Sequence, residues 1–481
     1  MQWTIDRLIL ARRWDILIAV PVLAVLSGMI IALNLLPITV VVGFLIISTL
    51  IWWRLEFLFL ALCLGTFGYN LYREHRIYVG NYPLSPLDLI ACLIIGRAVV
   101  ELISPKQKGL NLLPHQRLDW LMLAFFAYIN IIGVINGLAE GNPIYGIWQG
   151  VRLIVYLYGG YLAGITLVKS PAQLKGFIWW ILLSNVAISL WQYYILTVAP
   201  GLRQVPIGFG RWVAEYFIEF PNTGFFLAIG LIIYRPTFLK RSMLWILIIT
   251  WGINVILSFV RNQWVCTGVA LTLLPGLLRD KQKAIIGLIA GAIGVLLGMV
   301  LIYYWNRDIG NIYMTDLVET VRMSLSAPDK NIIFRIDTTL MGWSMILTNP
   351  RYVLLGLGFG AQVVELIIPE LGFLDFTDGY LWFLISTGLP GLLFLLILVV
   401  SFVRVSFHIS RNSANSLYRA FALGQCMYII FEILRTFLAG GFIMWFRAVY
   451  IGFIFGLVAS IYKGRLSDKP ERLNGHNRRG V

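Results

Sequence analysis

Arginines close to the ends of apolar segments are the residues of this sequence best suited to chemistry. Arg261 lies in the short polar turn 258–264, and Arg435 and Arg447 stand on either side of the glycine-containing turn 439–441. A guanidinium group offers a planar fork of donors that binds phosphate bidentately, and it stays charged when partly desolvated. These positions favour a site for a phosphorylated ligand. The alternative is that the side chains only reach from a membrane edge towards water and lipid phosphates.

A second candidate group combines arginines with carboxylates. Arg203 and Arg211 share a glycine-containing stretch with Glu215 and Glu219. Two carboxylates four residues apart would share a helix face, as they do in some glycosidase and metal sites. The alternative is a solvated edge at which the two carboxylates balance the two arginines.

The sequence offers little for metal or nucleotide chemistry. No Asp-x-Asp motif occurs, and Gly356, Gly358 and Gly360 lack the strand-to-helix context of a nucleotide-binding loop. The missing motif weakens a metal-dependent sugar-nucleotide mechanism, and we expect no cofactor. Four cysteines lie inside apolar runs without ligand-like spacing, so they predict neither disulfides nor a metal site: Cys63, Cys92, Cys266 and Cys426.

The elements that must hold these residues are strongly apolar. Of the 481 residues, 59% are hydrophobic and 13% are charged, and the mean hydropathy is +0.82. Soluble proteins are about half apolar and a quarter charged, so the composition excludes a soluble enzyme, a disordered chain and a nucleic-acid-binding domain. A membrane-spanning helix needs about 20 apolar residues, and about fourteen segments qualify. The sequence therefore predicts an all-α, polytopic membrane protein.

The basic residues predict the topology. The net charge is +15, and Lys and Arg flank the apolar segments, as expected of cytoplasmic loops. With the N-terminus inside, most basic residues fall in inner loops and both termini are cytoplasmic. The predicted parts are an N-terminal bundle of about eleven helices, a large outer loop, three further helices and a basic tail, at residues 1–304, 305–378, 379–462 and 463–481.

On this topology the candidate arginines lie on the outer side. Arg335, in the long outer loop, joins those named above. Their helix ends would present guanidinium groups at the level of the outer lipid headgroups, where a lipid-linked phosphate would lie. Glu432 and Arg435, three residues apart near an outer helix end, predict a local ion pair.

The long outer loop is patterned rather than featureless. Ile336, Leu340, Trp343 and Leu347 recur at helical spacing and form an apolar stripe, which 349–350 should end. A second amphipathic stretch covers 314–325. Two such helices would either lie on the membrane surface or form a lid over a cavity that opens to it.

Several motifs carry a family resemblance. The sequence 376–381, Phe-Thr-Asp-Gly-Tyr-Leu, precedes 387–393, Thr-Gly-Leu-Pro-Gly-Leu-Leu. This resembles the O-antigen ligase and O-antigen polymerase superfamily, whose pattern there is approximately His-Asn-x-Tyr-Leu and then Gly-Leu-Pro-Gly-Leu-Leu. Other stretches agree with the same family: Ser85-Pro86-Leu87-Asp88, Pro221-Asn222, the turn 258–264 with Arg261 in the arginine position, and the course Arg335, Trp343, Pro350, Gly356 to Gly360.

The resemblance implies a C-type glycosyltransferase-like protein of the bacterial inner membrane. Members transfer a glycan from undecaprenyl diphosphate, on the outer face, to lipid A-core in ligases or to another lipid-linked repeat in polymerases. They use neither a metal nor a nucleotide sugar. The departing diphosphate develops negative charge that preorganised arginines would stabilise, and a base must deprotonate the acceptor hydroxyl.

The chain departs from the ligases at one decisive position. Asp378 occupies the place of their catalytic histidine, and Gly379 replaces the asparagine. We therefore predict a polysaccharide polymerase with Asp378 and Arg261 as catalytic residues. The predicted substrate-binding residues are Arg203, Arg211, Glu215, Arg335, Arg435 and Arg447.

Two alternatives stay open, an O-antigen ligase and a lipid or polysaccharide transporter. Transporters usually show inverted repeats and ionisable residues near the membrane midplane. The expected partners are an undecaprenyl-diphosphate-linked glycan, membrane lipids and other polysaccharide export proteins, with no nucleic acid.

Overall fold

The computed structural model describes more than half of the chain. The described residues are 49–50, 52, 54–67, 77–79, 82–84, 86–103, 117–197, 219–236, 238–257, 261–278, 339–340, 342–361, 379–439 and 447–464, with the single positions 285, 289, 292 and 466. The predicted spans at 16–35, 36–53 and 284–304, the stretch 314–325 and the tail beyond 466 lie wholly or almost wholly outside them. The chain divides into two compact units, Met1–Leu58 and Phe59–Val481.

The described elements are helices apart from one short hairpin. In the hairpin, β1 (Ile77–Val79) pairs antiparallel with β2 (Tyr82–Leu84), and Tyr78 lies opposite Pro83. The helices, in chain order, are α1 (Leu55–Phe67), α2 (Pro86–Ile103), α3 (Arg117–Ala139), α4 (Ile144–Leu167), α5 (Pro171–Thr197), α6 (Glu219–Tyr234), α7 (Arg241–Leu257), α8 (Arg261–Thr272), α9 (Leu274–Leu277), α10 (Pro350–Leu355), α11 (Gly379–Asn412), α12 (Ser416–Ala439) and α13 (Arg447–Tyr462).

The chain is a membrane protein, as its composition predicts. Among the described residues, five helices are long and apolar enough to cross a bilayer: 117–139, 144–167, 171–190, 379–412 and 416–436. Shorter apolar helices cover 222–234, 241–252 and 447–462. The fourteen spans and the side on which each terminus lies remain predictions.

Close contact between α4 and α13 forms the centre of the second unit. A Cβ added to Gly160 would lie 2.1 Å from the carbonyl oxygen of Val449, and one added to Gly452 would lie 1.9 Å from that of Leu157. Small residues allow helix backbones to approach closely in membranes, where packing replaces the hydrophobic effect as the driving force. Gly456, four residues after Gly452, approaches Tyr161 in the same way, so the two helices run in the same direction.

A second tight pair joins α6 and α12. Gly230, near the end of α6, approaches the backbone of Ala420, near the start of α12, whereas Phe226 packs on Phe431. These two helices are therefore antiparallel, and the first turns of α6 lie beside the last turns of α12.

The other end of α4 is joined to α3 and α13 by charged groups. Asp119, in the first turn of α3, accepts hydrogen bonds from the Tyr161 hydroxyl and from the Lys463 ammonium group. Lys463 directly follows α13, which confirms that α13 ends beside the first turn of α3.

Candidate functional site

Two arginines converge on one carboxylate inside the bundle. Arg435 donates from Nη2 to Glu432 Oε2 at 3.0 Å and from Nε at 3.2 Å, and Arg447 donates from Nη1 to the same oxygen at 3.3 Å. The side chains are 6%, 0% and 11% exposed for Arg435, Glu432 and Arg447 respectively. We call these three residues the Glu432 cluster. The predicted ion pair between Glu432 and Arg435 is confirmed, and Arg447 joins it from the next helix.

The Glu432 cluster lies some distance from the ends of the helices that hold or contact it. Glu432 is seven residues before the last residue of α12, which is about 10 Å along the helix axis. Arg447 begins α13, and Val449, two residues on, lies beside Gly160, sixteen residues into α4. Arg447 thus begins α13 beside the interior of α4 and not beside its first residues, and the level of Arg435 and Arg447 relative to the lipid headgroups stays a prediction.

The polar face of α12 continues inward from this cluster. Gln425, Tyr428, Glu432 and Arg435 lie on one side of the helix, three or four residues apart, and all are buried. The Tyr428 hydroxyl lies beside the Glu432 carboxylate. Ionisable residues within membrane-spanning segments are rare and often mark a functional site. The spacing of these residues within an apolar span was the sequence signal for this face.

Helices α6 and α8 bring further polar groups to the same region. Asn222 donates from Nδ2 to Gln263 Oε1 at 3.2 Å, and both side chains are buried. Cys266, one turn further along α8, lies within the electrostatic range of Glu432 and Arg435. Since α8 begins at Arg261 and packs against α12, the start of α8 is close to the Glu432 cluster.

Most of the remaining predicted site residues lie outside the described part of the chain. Arg261 is the exception for its backbone, because it is the first residue of α8, so the predicted turn 258–264 is helical from residue 261 onward. The other residues outside the description are Arg203, Arg211, Glu215, Arg335 and Asp378. Of the predicted site, the structure therefore brings together Arg435 and Arg447 and places the start of the Arg261 helix nearby.

A second buried ionic group joins α2 to α4. Arg152 donates from Nη1 to Asp88 Oδ2 at 3.0 Å and to Oδ1 at 3.2 Å, and the Tyr156 hydroxyl also donates to Oδ1. The side chains of Arg152 and Asp88 are 3% and 7% exposed. We call these three residues the Asp88 cluster. Nothing in the sequence indicates that Asp88 and Arg152 pair, although each places a charge within an apolar segment.

The two glycine-rich motifs of the sequence contact each other. Gly356 and Gly388 both have positive φ, 74° and 70°, and a Cβ added to Gly356 would lie 2.6 Å from the amide nitrogen of Thr387. Gly388 interrupts the helical geometry of α11 just before Pro390. The two motifs therefore form a structural joint between residue 356 and the kink in α11.

The geometry suits binding of a strongly anionic group. Guanidinium groups held in a water-poor interior stabilise negative charge more strongly than exposed ones, because the surrounding dielectric is low. Glu432 orients both of them. No group of three His, Cys, Asp or Glu side chains in the described ranges has the arrangement of a metal site.

Comparison with known proteins adds no assignment to this geometry. No protein-family model matches the chain, and no curated protein matches it significantly. The polar interior of the bundle, rather than any relative, thus carries the functional argument for this membrane protein.

Proposed function

We propose that the protein is a bacterial membrane polysaccharide polymerase. It transfers a glycan from undecaprenyl diphosphate to a lipid-linked acceptor sugar at the outer face of the inner membrane, without a metal. The convergence of Arg435 and Arg447 on one oxygen of buried Glu432 carries the proposal. It supplies the preorganised positive charge that a departing diphosphate requires. The proposal includes fourteen spans, a C-type glycosyltransferase-like fold and cytoplasmic termini.

In the proposed reaction, the acceptor hydroxyl attacks the anomeric carbon of the donor glycan. The bond between that carbon and the diphosphate oxygen breaks, and the electron pair stays on the diphosphate. Arg435 and Arg447 stabilise this charge, together with Arg261 at the start of the neighbouring helix. Asp378 takes the proton of the attacking hydroxyl, the role implied by its place in the family motif. Arg203, Arg211, Glu215 and Arg335 would hold the sugars.

The test is synthesis from purified components. The protein would be reconstituted into liposomes with an undecaprenyl-diphosphate-linked oligosaccharide repeat, and the products separated by size. A polymerase produces a ladder of chain lengths and releases undecaprenyl diphosphate. If only lipid A-core accepts the glycan, the protein is an O-antigen ligase with the same chemistry.

Two variants test the assigned chemistry. Asp378→Asn keeps the size of the side chain and removes the base, so turnover should fall about 10²–10⁴-fold with donor binding nearly intact. Arg261→Lys keeps the charge and loses the fork, so it should lose most of its activity. Arg404→Lys, an exposed position on α11, is the matched control and should retain full activity. Unchanged turnover in the Asp378 variant would remove the base from the mechanism.

A transporter is the second candidate, because the Glu432 cluster lies inside the bundle. Ionisable residues at such depth often line a path for a substrate or for protons. The same liposomes distinguish the two functions. A transporter would move the lipid-linked repeat between leaflets without any change in its length, and neither a ladder nor free undecaprenyl diphosphate would form.

A further inference from the structure

Residues 342–361, which we call the edge segment, pack on the membrane-spanning bundle beside α3, α4 and α11. The segment comprises a short helical stretch at 342–347, then α10, and then a stretch of irregular backbone at 356–361. On its inner side, Ile346 and Leu357 share a buried cluster with Leu381 and Ile385 of α11. The segment is therefore tightly attached to helices that cross the bilayer.

The irregular stretch 356–361 can be placed relative to the ends of α3 and α4. Phe359 donates its backbone N–H to the carbonyl oxygen of Gly133 at 2.8 Å, and its ring lies against Gly133 and Gly150. Gly133 and Gly150 are each seven residues from the polar turn that joins α3 to α4, at Glu140 and Pro143, or about 10 Å along each helix. A hydrocarbon core is about 30 Å thick. The Phe359 ring consequently lies about 10 Å below the ends of both helices, a distance that fits within such a core.

The backbone of the segment is hydrogen-bonded as this depth requires. Asn136 donates from Nδ2 to the carbonyl oxygen of Leu355, and Asn142 donates to those of Leu357 and Phe359 at 2.9 and 3.0 Å. Irregular backbone is tolerated at membrane depth only where protein groups satisfy it. Gly358, at φ 83°, allows the close approach, since a Cβ there would lie 1.9 Å from the amide nitrogen of Gly137.

The outer side of the edge segment is apolar and exposed. Leu347 is 67% exposed, Leu354 57% and Trp343 43%, and these are large hydrophobic side chains. The carbonyl oxygen of Leu354 contacts Gly388, and the next residue, Leu389, is itself exposed on α11. The exposed apolar surface of the segment therefore continues onto the surface of a membrane-spanning helix, which faces lipid.

We propose that the edge segment is inserted into the membrane at the rim of the bundle, with Trp343, Leu347 and Leu354 in contact with lipid acyl chains. Its polar boundary is Arg351, which is exposed and lies 3.9 Å from Glu140 at the end of α3. For the stretch that contains Trp343 and Leu347, this is a third arrangement beside the predicted surface docking and lid. The segment is a shallow re-entrant element, and lipid covers its exposed apolar side.

Spin labels report this arrangement directly. Single cysteines at 347, 354 and 351 would be introduced into a variant without native cysteines, labelled, and reconstituted into liposomes of phosphatidylethanolamine and phosphatidylglycerol. Collision with oxygen, which dissolves in acyl chains, is compared with collision with a water-soluble nickel chelate. All these side chains are exposed, so a label leaves the packing intact.

Two further positions calibrate the result. Leu393→Cys, exposed on α11, is the acyl-chain reference, and Lys169→Cys, exposed beyond the end of α4, is the aqueous reference. At 347 and 354, we expect the ratio of oxygen to nickel accessibility to match that at 393 and to exceed that at 169 several-fold. The ratio at 351 should lie between those of the two references. Ratios at 347 and 354 equal to that at 169 would place the segment in water and overturn the proposal.

Discussion

The Asp88 cluster and the Glu432 cluster each pair a buried carboxylate with arginine, but their geometries differ. In the first, a single arginine contacts both oxygens of Asp88 and a tyrosine adds a third hydrogen bond. In the second, two arginines from different helices meet at one oxygen of Glu432. The first has the geometry of a clamp between α2 and α4, whereas the second brings two guanidinium groups to one carboxylate oxygen. We propose that the Asp88 cluster contributes to stability and that the Glu432 cluster contributes to ligand binding.

The largest effect should follow from breaking the clamp. Asp88→Asn leaves the buried Arg152 without its counter-charge, and removal of one partner of such a pair costs about 3–5 kcal/mol. Thermal unfolding in detergent measures this loss, and turnover per folded molecule should be unchanged. The double change Asp88→Leu with Arg152→Met should recover most of the stability, because it removes both charges. If the Asp88→Asn variant is as stable as the parent but has lost turnover, the Asp88 cluster contributes to function and not to stability, which contradicts the proposed roles.

The next largest effect should come from the Glu432 cluster and should appear in turnover. Arg447→Lys and Arg435→Lys keep the charge but lose the planar fork, and loss of one donor to a developing anion costs about 10²–10³-fold in rate. We expect this loss with an unfolding temperature close to that of the parent. Arg404→Lys serves again as the control. Full turnover in both variants would show that the Glu432 cluster is a second structural clamp.

A smaller effect should come from the close approach of Gly358, in the edge segment, to Gly137 of α3. Gly358→Ala introduces a methyl group against the Gly137 backbone at positive φ, and we expect a loss of about 1–3 kcal/mol in stability with normal turnover. Gly176→Ala on α5 is the matched change, since nothing lies within 4 Å of its Cβ position. That variant should be as stable as the parent or slightly more stable. Equal stability of the two variants would contradict the close approach.

The smallest effect should come from an exposed ion pair. Lys169 and Glu101 lie 2.9 Å apart with side chains 50% and 36% exposed, and such pairs contribute about 0–1 kcal/mol. Glu101→Gln should therefore change the free energy of unfolding by less than about 1 kcal/mol. The measurement should be repeated at high salt, where any effect should shrink further. A loss as large as that of Asp88→Asn would mean that burial does not explain the difference between the pairs.

Local features of the fold follow from the sequence alone. Apolar length predicted the spans that the structure describes, and the Glu432–Arg435 pair could be predicted because the two residues lie three apart on one helix. Asn349 and Pro350 end one helix, as predicted, and in addition they start α10, with the Asn349 side chain accepting from the Arg351 N–H. Each of these features depends on residues within a few turns of each other.

What the sequence could not provide is the pairing of residues that are far apart in the chain. Asp88 and Arg152 are 64 residues apart, and Asn136 and Leu355 are 219 apart. Their contacts depend on how helices cross, and no periodicity within one segment records a crossing. The depth of Arg447 has the same origin, because the position of α13 along α4 is set by the glycines where their backbones meet. Residue type and spacing thus determined which side chains can bind an anion, and helix packing alone decided that two of them converge inside the bundle.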